Sequence, residues 1–144
     1  MRYPEQLIAA MRHDLAQHGV EETRTPADVD RVVLQSGNDA VLMVVNSVCG
    51  CAAGKARPGI GLALKHSVVP DRVATVFAGG DVEATARVRE LAEGHPPSSP
   101  SMFLFQNGKV VWAMPRTAVE RREAPEIAKL LTEAFDQFCT KTIA

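Results

Sequence analysis

The chain has 144 residues, 46% apolar and 23% charged, which suits a single globular domain spanning 1–144 with enough length to bury a core. A formal net charge of −1 offers no basic footprint, so no nucleic-acid partner is expected. The longest apolar run, residues 40–45, is far short of a membrane span, and the charged segment MRYPEQLIAAMRHDLAQHGV lacks the apolar stretch of an export signal or anchor, so no membrane association is expected either.

In chain order, Leu7, Ile8, Met11 and Leu15 recur at helical spacing and predict an amphipathic helix over 4–18, with Glu5, Arg12 and Asp14 on its other faces and Gly19 as its stop. A second helix fits 26–34, with Thr25 as N-cap and Pro26 in its first turn. After the turn Gly37-Asn38-Asp39, residues 40–45 lack polar alternation and read as a buried central strand. Residues 52–66 are helical in character, but Pro58 cannot donate to the carbonyl of Gly54, so a kink or a two-piece helix is expected. Residues 72–78 form a second apolar strand. A helix follows over 81–93, with Val82, Ala86, Val88 and Leu91 expected inward and Gly94 as its end. The loop HPPSSPS precedes two strands, 101–106 and 110–114, joined by Asn107-Gly108, a strong hairpin signal. The last helix, 124–139, carries Ile127, Leu130, Leu131, Ala134, Phe135 and Phe138 on one stripe. This order predicts an α/β sandwich with parallel central strands and an antiparallel edge hairpin.

Three cysteines are present: Cys49, Cys51 and Cys139. So few thiols, with no export signal expected, point to the reducing cytoplasm, where a close pair is more often reactive than structural. Cys49 follows a strand and stands at a helix N-terminus, where unpaired N–H groups and the helix dipole favour the thiolate. This makes Cys49 the candidate nucleophile and Cys51 the resolving thiol. Lys55 and Arg57, within two turns, are candidates for added positive potential, Arg57 also for holding an anionic group of a small thiol. Gly50 gives the backbone freedom to close a small disulfide ring.

Other readings remain open. The pair can be buried filler, or can hold a metal ion with ligands drawn from Cys139, His13, His18, His66 and His95, although none of these stands in a paired spacing. A non-catalytic interaction domain would carry unreactive thiols. Cys139, on the stripe of the last helix, reads as core. His66 and His95 receive no role, and Arg121-Arg122 reads as solvated surface.

The segments NSVCGCAAGKARPG, VFAGGDVEATARVRE, PPSSPSMFLF and EAFDQFC, in this order, resemble the bacilliredoxins, thioredoxin-like proteins marked by a Cys-Gly-Cys motif. The resemblance implies a three-layer sandwich with a central mixed sheet, an antiparallel edge hairpin and an extra N-terminal helix. It also implies removal of bacillithiol from S-thiolated client proteins, with Cys49 taking up the small thiol and Cys51 or a second small thiol releasing it. Protein disulfide isomerisation is associated with such proteins, and the exchange requires no cofactor. The same resemblance makes Ser99–Pro100 the candidate cis bond, with the Ser99 backbone pairing to an extended substrate beside Cys49. No tryptophan adjoins the motif, and Trp112 lies in the hairpin as packing, which argues for a reductant other than thioredoxin reductase.

Overall fold

An apolar stretch without polar alternation requires cover on both faces of its sheet, and two such stretches form the sheet centre here. The computed structural model describes residues 2–142. Val41–Asn46 (β2) is buried at every position, and Arg72–Phe77 (β4) runs parallel beside it. On the other side of β2, Ser101–Gln106 (β5) pairs antiparallel, and Lys109–Met114 (β6) pairs antiparallel with β5. The connecting turn needs the left-handed conformation twice, and Asn107 (φ 55°) and Gly108 (φ 75°) supply it. A short strand, Glu21–Glu22 (β1), adds parallel to β4, giving the order β1-β4-β2-β5-β6. Val68–Val69 (β3) and Lys141–Thr142 (β7) form a separate antiparallel pair.

The period-2 geometry of β2 divides the interior. Leu42 and Val44 face a core closed by Leu15 of α1 (Glu5–Ala16), Ile60 of α3 (Arg57–Ala63), and Ile127, Leu131 and Phe135 of α6 (Ala124–Phe138). Val41, Met43 and Val45 face the opposite core, closed by Val29, Val32 and Val33 of α2 (Pro26–Val33) and by Ala84 and Val88 of α4 (Val82–Leu91). The result is the expected three-layer α/β sandwich with a mixed sheet and an edge hairpin. Among the described residues, no helix is long and apolar enough to cross a membrane.

Local signals act where they were expected. Thr25 Oγ1 accepts from the backbone N–H of Asp28 at 3.1 Å and starts α2. A cap the sequence reading did not name starts α6: Glu126 reaches back to the N–H of Glu123 at 3.1 Å. The helix after the cysteines is in two pieces. Residues Ala52–Ala56 form a π-helical turn, in which Arg57 N–H donates to the carbonyl of Ala52, and α3 follows with Pro58 in its first turn.

Two faces differ from expectation, for one physical reason. Ile8, Arg12 and Leu15 form the buried face of α1, while Leu7 is 54% exposed. In α4 the buried side chains are Ala84, Thr85 and Val88, and Val82 and Ala86 face out. Asp81 joins the two elements. Its carboxylate accepts both Nη1 and Nη2 of Arg12 at 2.9 Å and the N–H of Phe77 at 3.0 Å. Arg12 also donates to Glu5 at 3.0 Å and lies over the Phe77 ring, 5.4 Å from its centroid. A guanidinium so fully paired can be buried. The buried Asp81 fixes the rotational phase of α4.

A short helix, Arg116–Glu120 (α5), and the strands β1, β3 and β7 have no counterpart in the sequence reading, because two to five residues are too few to display a period.

Candidate active site

Strand β2 ends at Asn46, and the chain turns through Ser47 and Val48 to reach Cys49. That turn is held from beneath. Asn46 Oδ1 accepts from Ser47 N–H at 2.9 Å and from Arg57 Nη1 at 3.1 Å, and Arg57 Nη1 also donates to the Ser47 carbonyl at 3.2 Å. Ser47 Oγ accepts from Cys49 N–H at 3.2 Å. The carbonyl of Cys49 then accepts from Ala52 and Ala53 N–H at 2.9 and 3.2 Å, closing the first helical turn.

This geometry leaves Cys49 Sγ where helix-starting N–H groups need an acceptor. The backbone N–H of Cys51 donates to Cys49 Sγ at 3.4 Å. That hydrogen bond is the largest cause holding Cys49 below the ordinary thiol value, opposed by partial burial and aided by the Cys51 thiol and the charge of Arg116. Cys51 moves the other way: its hydrogen bond to Cys49, burial, and the charge on Cys49 keep its proton on. The two thiols are half-buried and free, and Cys51 packs against the core closed by α3 and α6.

Cys49 opens onto a cleft of about 430 Å³. Ser47, Val48, Ser99, Arg116, Tyr3, Ala78 and Gly79 line it with Cys49. The Ser99–Pro100 peptide bond is cis. Ser99 lines the cleft, and Pro100 is buried behind it. Arg116 is tied to this loop, its N–H donating to Ser98 Oγ at 3.2 Å and its Nη1 to the Ser99 carbonyl at 3.4 Å. Tyr3, also in the lining, donates its N–H to the Gly79 carbonyl at 2.7 Å. Gly79 adopts φ 83°, and its missing Cβ would stand 2.6 Å from the Tyr3 ring, so both backbone and space require glycine there. A second cleft, about 330 Å³, lies beside His18, Asp71 and Arg72 and holds no cysteine.

The structure therefore brings Cys49, Gly50, Cys51, Ser99 and Pro100 to one end of the sheet, but corrects the cationic residues expected to serve them. Arg57 is only 5% exposed and lies under the turn, not in the cleft. Its Nε approaches Asp14 Oδ2 at 3.2 Å without the alignment of a hydrogen bond. Lys55 turns away to the carbonyl of Glu120 at 2.8 Å. Neither points at the thiols; the cation that does act on them is Arg116, which sequence reasoning missed. The hairpin held part of the signal: the Asn107-Gly108 turn carries the chain after β6 back toward Ser99, and a register shift between Leu104 and Phe105 pairs Met102 with Met114. Gly50 is exposed in an ordinary conformation, and a Cβ there would meet open space.

Cys139 is buried at the end of α6, as expected of core. His66 pairs with Asp136 at 2.9 Å, and His95 meets the Phe103 ring edge-on at 5.6 Å. Among the described residues, no group of three or more His, Cys, Asp or Glu side chains converges to hold a metal ion.

Comparison with known proteins gives a consistent result. The family model described as disulphide isomerase matches residues 3–139. A bacilliredoxin of Koribacter versatilis is 51% identical over 97% of this chain and 96% of its own length. One of Salinibacter ruber is 49% identical over 96% of this chain and 82% of its own, and one of Staphylococcus aureus 41% identical over 95% and 93%. Among solved structures, thioredoxin from Fasciola hepatica superposes with a TM-score of 0.58 at 17% identity, covering 83% of this chain and 99% of that one. Reduced thioredoxin from Schistosoma mansoni gives 0.56 at 20% identity, covering 83% and 97%. These structural likenesses establish a thioredoxin fold.

Proposed function

The chain belongs to the bacilliredoxin family of thiol–disulfide oxidoreductases, and on that premise we propose that it removes a low-molecular-weight thiol, bacillithiol, from mixed disulfides on client proteins in the cytoplasm. The observation that carries this reading is the Cys51 N–H directed at Cys49 Sγ, with Cys49 lining a cleft of about 430 Å³. A cleft of that volume is large enough for a small thiol.

The exchange proceeds in two displacements. Cys49 thiolate attacks the sulfur of the small thiol. A bond forms between Sγ and that sulfur, the client S–S bond breaks, and the client sulfur leaves with the electron pair and takes a proton from water. Cys51 then attacks Cys49 Sγ, the small thiol departs carrying the Cys51 proton, and a Cys49–Cys51 disulfide remains. The opposed acidities of the two thiols order these steps. While Cys49 is a thiolate, its charge and hydrogen bond keep Cys51 protonated. Once Cys49 is capped, that charge is gone and the Cys51 proton becomes easier to remove. Two molecules of small thiol, leaving as their disulfide, or one external dithiol supply the two electrons that restore the pair. Ser99, beside Cys49, offers backbone groups to the client segment that carries the mixed disulfide.

A second reading, protein disulfide isomerisation, is favoured by the description of the family model and uses the same first displacement on a protein disulfide. A metal-delivery reading would use the two thiols as ligands and requires others from a partner.

Intact-protein mass spectrometry separates these. Wild type, Cys49→Ala and Cys51→Ala are each incubated with a bacillithiol-modified client. The expected result is a bacillithiol adduct on Cys49 that accumulates only in Cys51→Ala, with the client released. Transfer by none of the three overturns the small-thiol reading. Transfer that survives Cys49→Ala overturns the assignment of the nucleophile.

A further inference from the structure

Arg57 reaches both sides of the Cys-Gly-Cys turn. Behind Cys51, its backbone N–H donates to the Ala52 carbonyl and closes the π-helical turn. Ahead of Cys49, its Nη1 donates to Asn46 Oδ1 at 3.1 Å and to the Ser47 carbonyl at 3.2 Å. We infer that Arg57 is a positioning residue: by fixing both ends of the turn it keeps the Cys51 N–H directed at Cys49 Sγ, and so sustains the Cys49 thiolate. The inference rests on the reading of Cys49 as the nucleophile.

A short relay carries the effect. Asn46 Oδ1 also accepts from Ser47 N–H at 2.9 Å, and Ser47 Oγ from Cys49 N–H at 3.2 Å, so Arg57 holds the acceptors that aim the Cys49 backbone. With that backbone fixed, Sγ meets the Cys51 N–H at 3.4 Å. Arg57, Asn46 and Ser47 are all buried, so bulk water does not stand in for these contacts. Stability alone does not account for a charge in this place. Arg12 is buried against both oxygens of Asp81, whereas Arg57 has only the half-exposed Asp14 beside an Nε that lacks a hydrogen bond. Burial draws the Arg57 pKa below the ordinary arginine value, against the pull of Asp14. Packing under the turn would be served as well by an apolar side chain. The groups that act on Cys49 directly are the Cys51 thiol and Arg116, with Glu120 acting on Cys51 and Tyr3 lining the cleft. Substitution of Arg57 leaves all of them in place.

The test is the pH dependence of iodoacetamide labelling at Cys49, located by peptide fragmentation in the reduced full chain. Arg57→Lys keeps the charge, but its Nζ ends one bond short of the guanidinium nitrogens and loses the bridge to Asn46 and Ser47. It is expected to raise the midpoint of the profile and to slow labelling at pH 7 about tenfold, the scale of one hydrogen bond to a charged group. The plateau at high pH should stay unchanged and Cys139 should remain slow. Ser47→Ala breaks the next link and should slow Cys49 to a similar extent, and the double variant should be no slower than the slower single one. Slowing that multiplies in the double variant, or a wild-type profile in Ser47→Ala, overturns the relay. A wild-type profile in Arg57→Lys overturns the inference, since the charge alone would then suffice. Rapid labelling of Cys139 in that variant would mean a role in packing and overturns it too. Wild-type Cys49 that labels no faster than Cys51 at pH 7 instead removes the nucleophile assignment, and this inference with it.

Discussion

Cys49 and Cys139 carry the same side chain at opposite ends of helices, and their surroundings drive them apart. Cys49 stands at the entrance of a helix, where a backbone N–H meets its sulfur and the cleft admits solvent. Cys139 stands at the exit of α6, its own N–H donating to the Phe135 carbonyl at 2.8 Å, with its sulfur among the apolar side chains of the core. Burial, with Asp71 and Asp136 adding negative charge, pushes the Cys139 thiol up to about 11, while Cys49 is drawn down. Reactivity here comes from which pole of a helix the thiol occupies and what covers it. The residue type alone is silent.

The contrast can be broken most directly by alkylation. At pH 7 in native protein, iodoacetamide is expected to label Cys49 more than about a hundredfold faster than Cys139, since both thiolate fraction and access differ. Comparable rates, read by peptide mass spectrometry, would erase the distinction. A second test sharpens the Cys139 side. Its folded-state pKa lies above the unfolded thiol value, so above about pH 8.5 the unfolded state sheds this proton first, and stability falls until the pH reaches about 11. The loss amounts to about 3 kcal/mol as an upper bound. Urea unfolding of wild type against Cys139→Ala should show that slope in the wild type and lose it in the variant; parallel pH profiles would refute it. The smallest effect belongs to Gly50. With open space at its Cβ position, Gly50→Ala should change the stability of the reduced protein by less than about 0.5 kcal/mol. A larger loss would mean the reduced turn already depends on glycine.

The sheet was legible because its strands announce themselves: an apolar run for β2, and Asn107-Gly108 between two apolar segments for the hairpin. The thiol junction was legible because a strand followed by a helix-compatible segment fixes where the N–H groups point. What stayed hidden depended on tertiary partners. Arg12 reads as a solvent residue until Asp81, far along the chain, arrives to pair with it, and the phase of α4 follows from that same pair. Arg57 reads as a helix-surface charge, but its guanidinium is drawn under the turn by Asn46 and the Ser47 carbonyl. Strand β1 is two residues of glutamate, and only its pairing with Ala74 and Thr75 makes it a strand. Arg116 was partly legible, since the hairpin turn carries the chain after β6 back toward Ser99, while a register shift between Leu104 and Phe105 sets which residue arrives there.

The hydrogen bond from Tyr3 to Gly79 has a practical side. It ties Tyr3, near the start of the described chain, to Gly79 in the lining of the cleft that holds Cys49. An affinity tag at this end would be joined close to Tyr3, a residue that lines the cleft holding Cys49. Kinetic work on this protein therefore belongs on material from which any such tag has been cleaved.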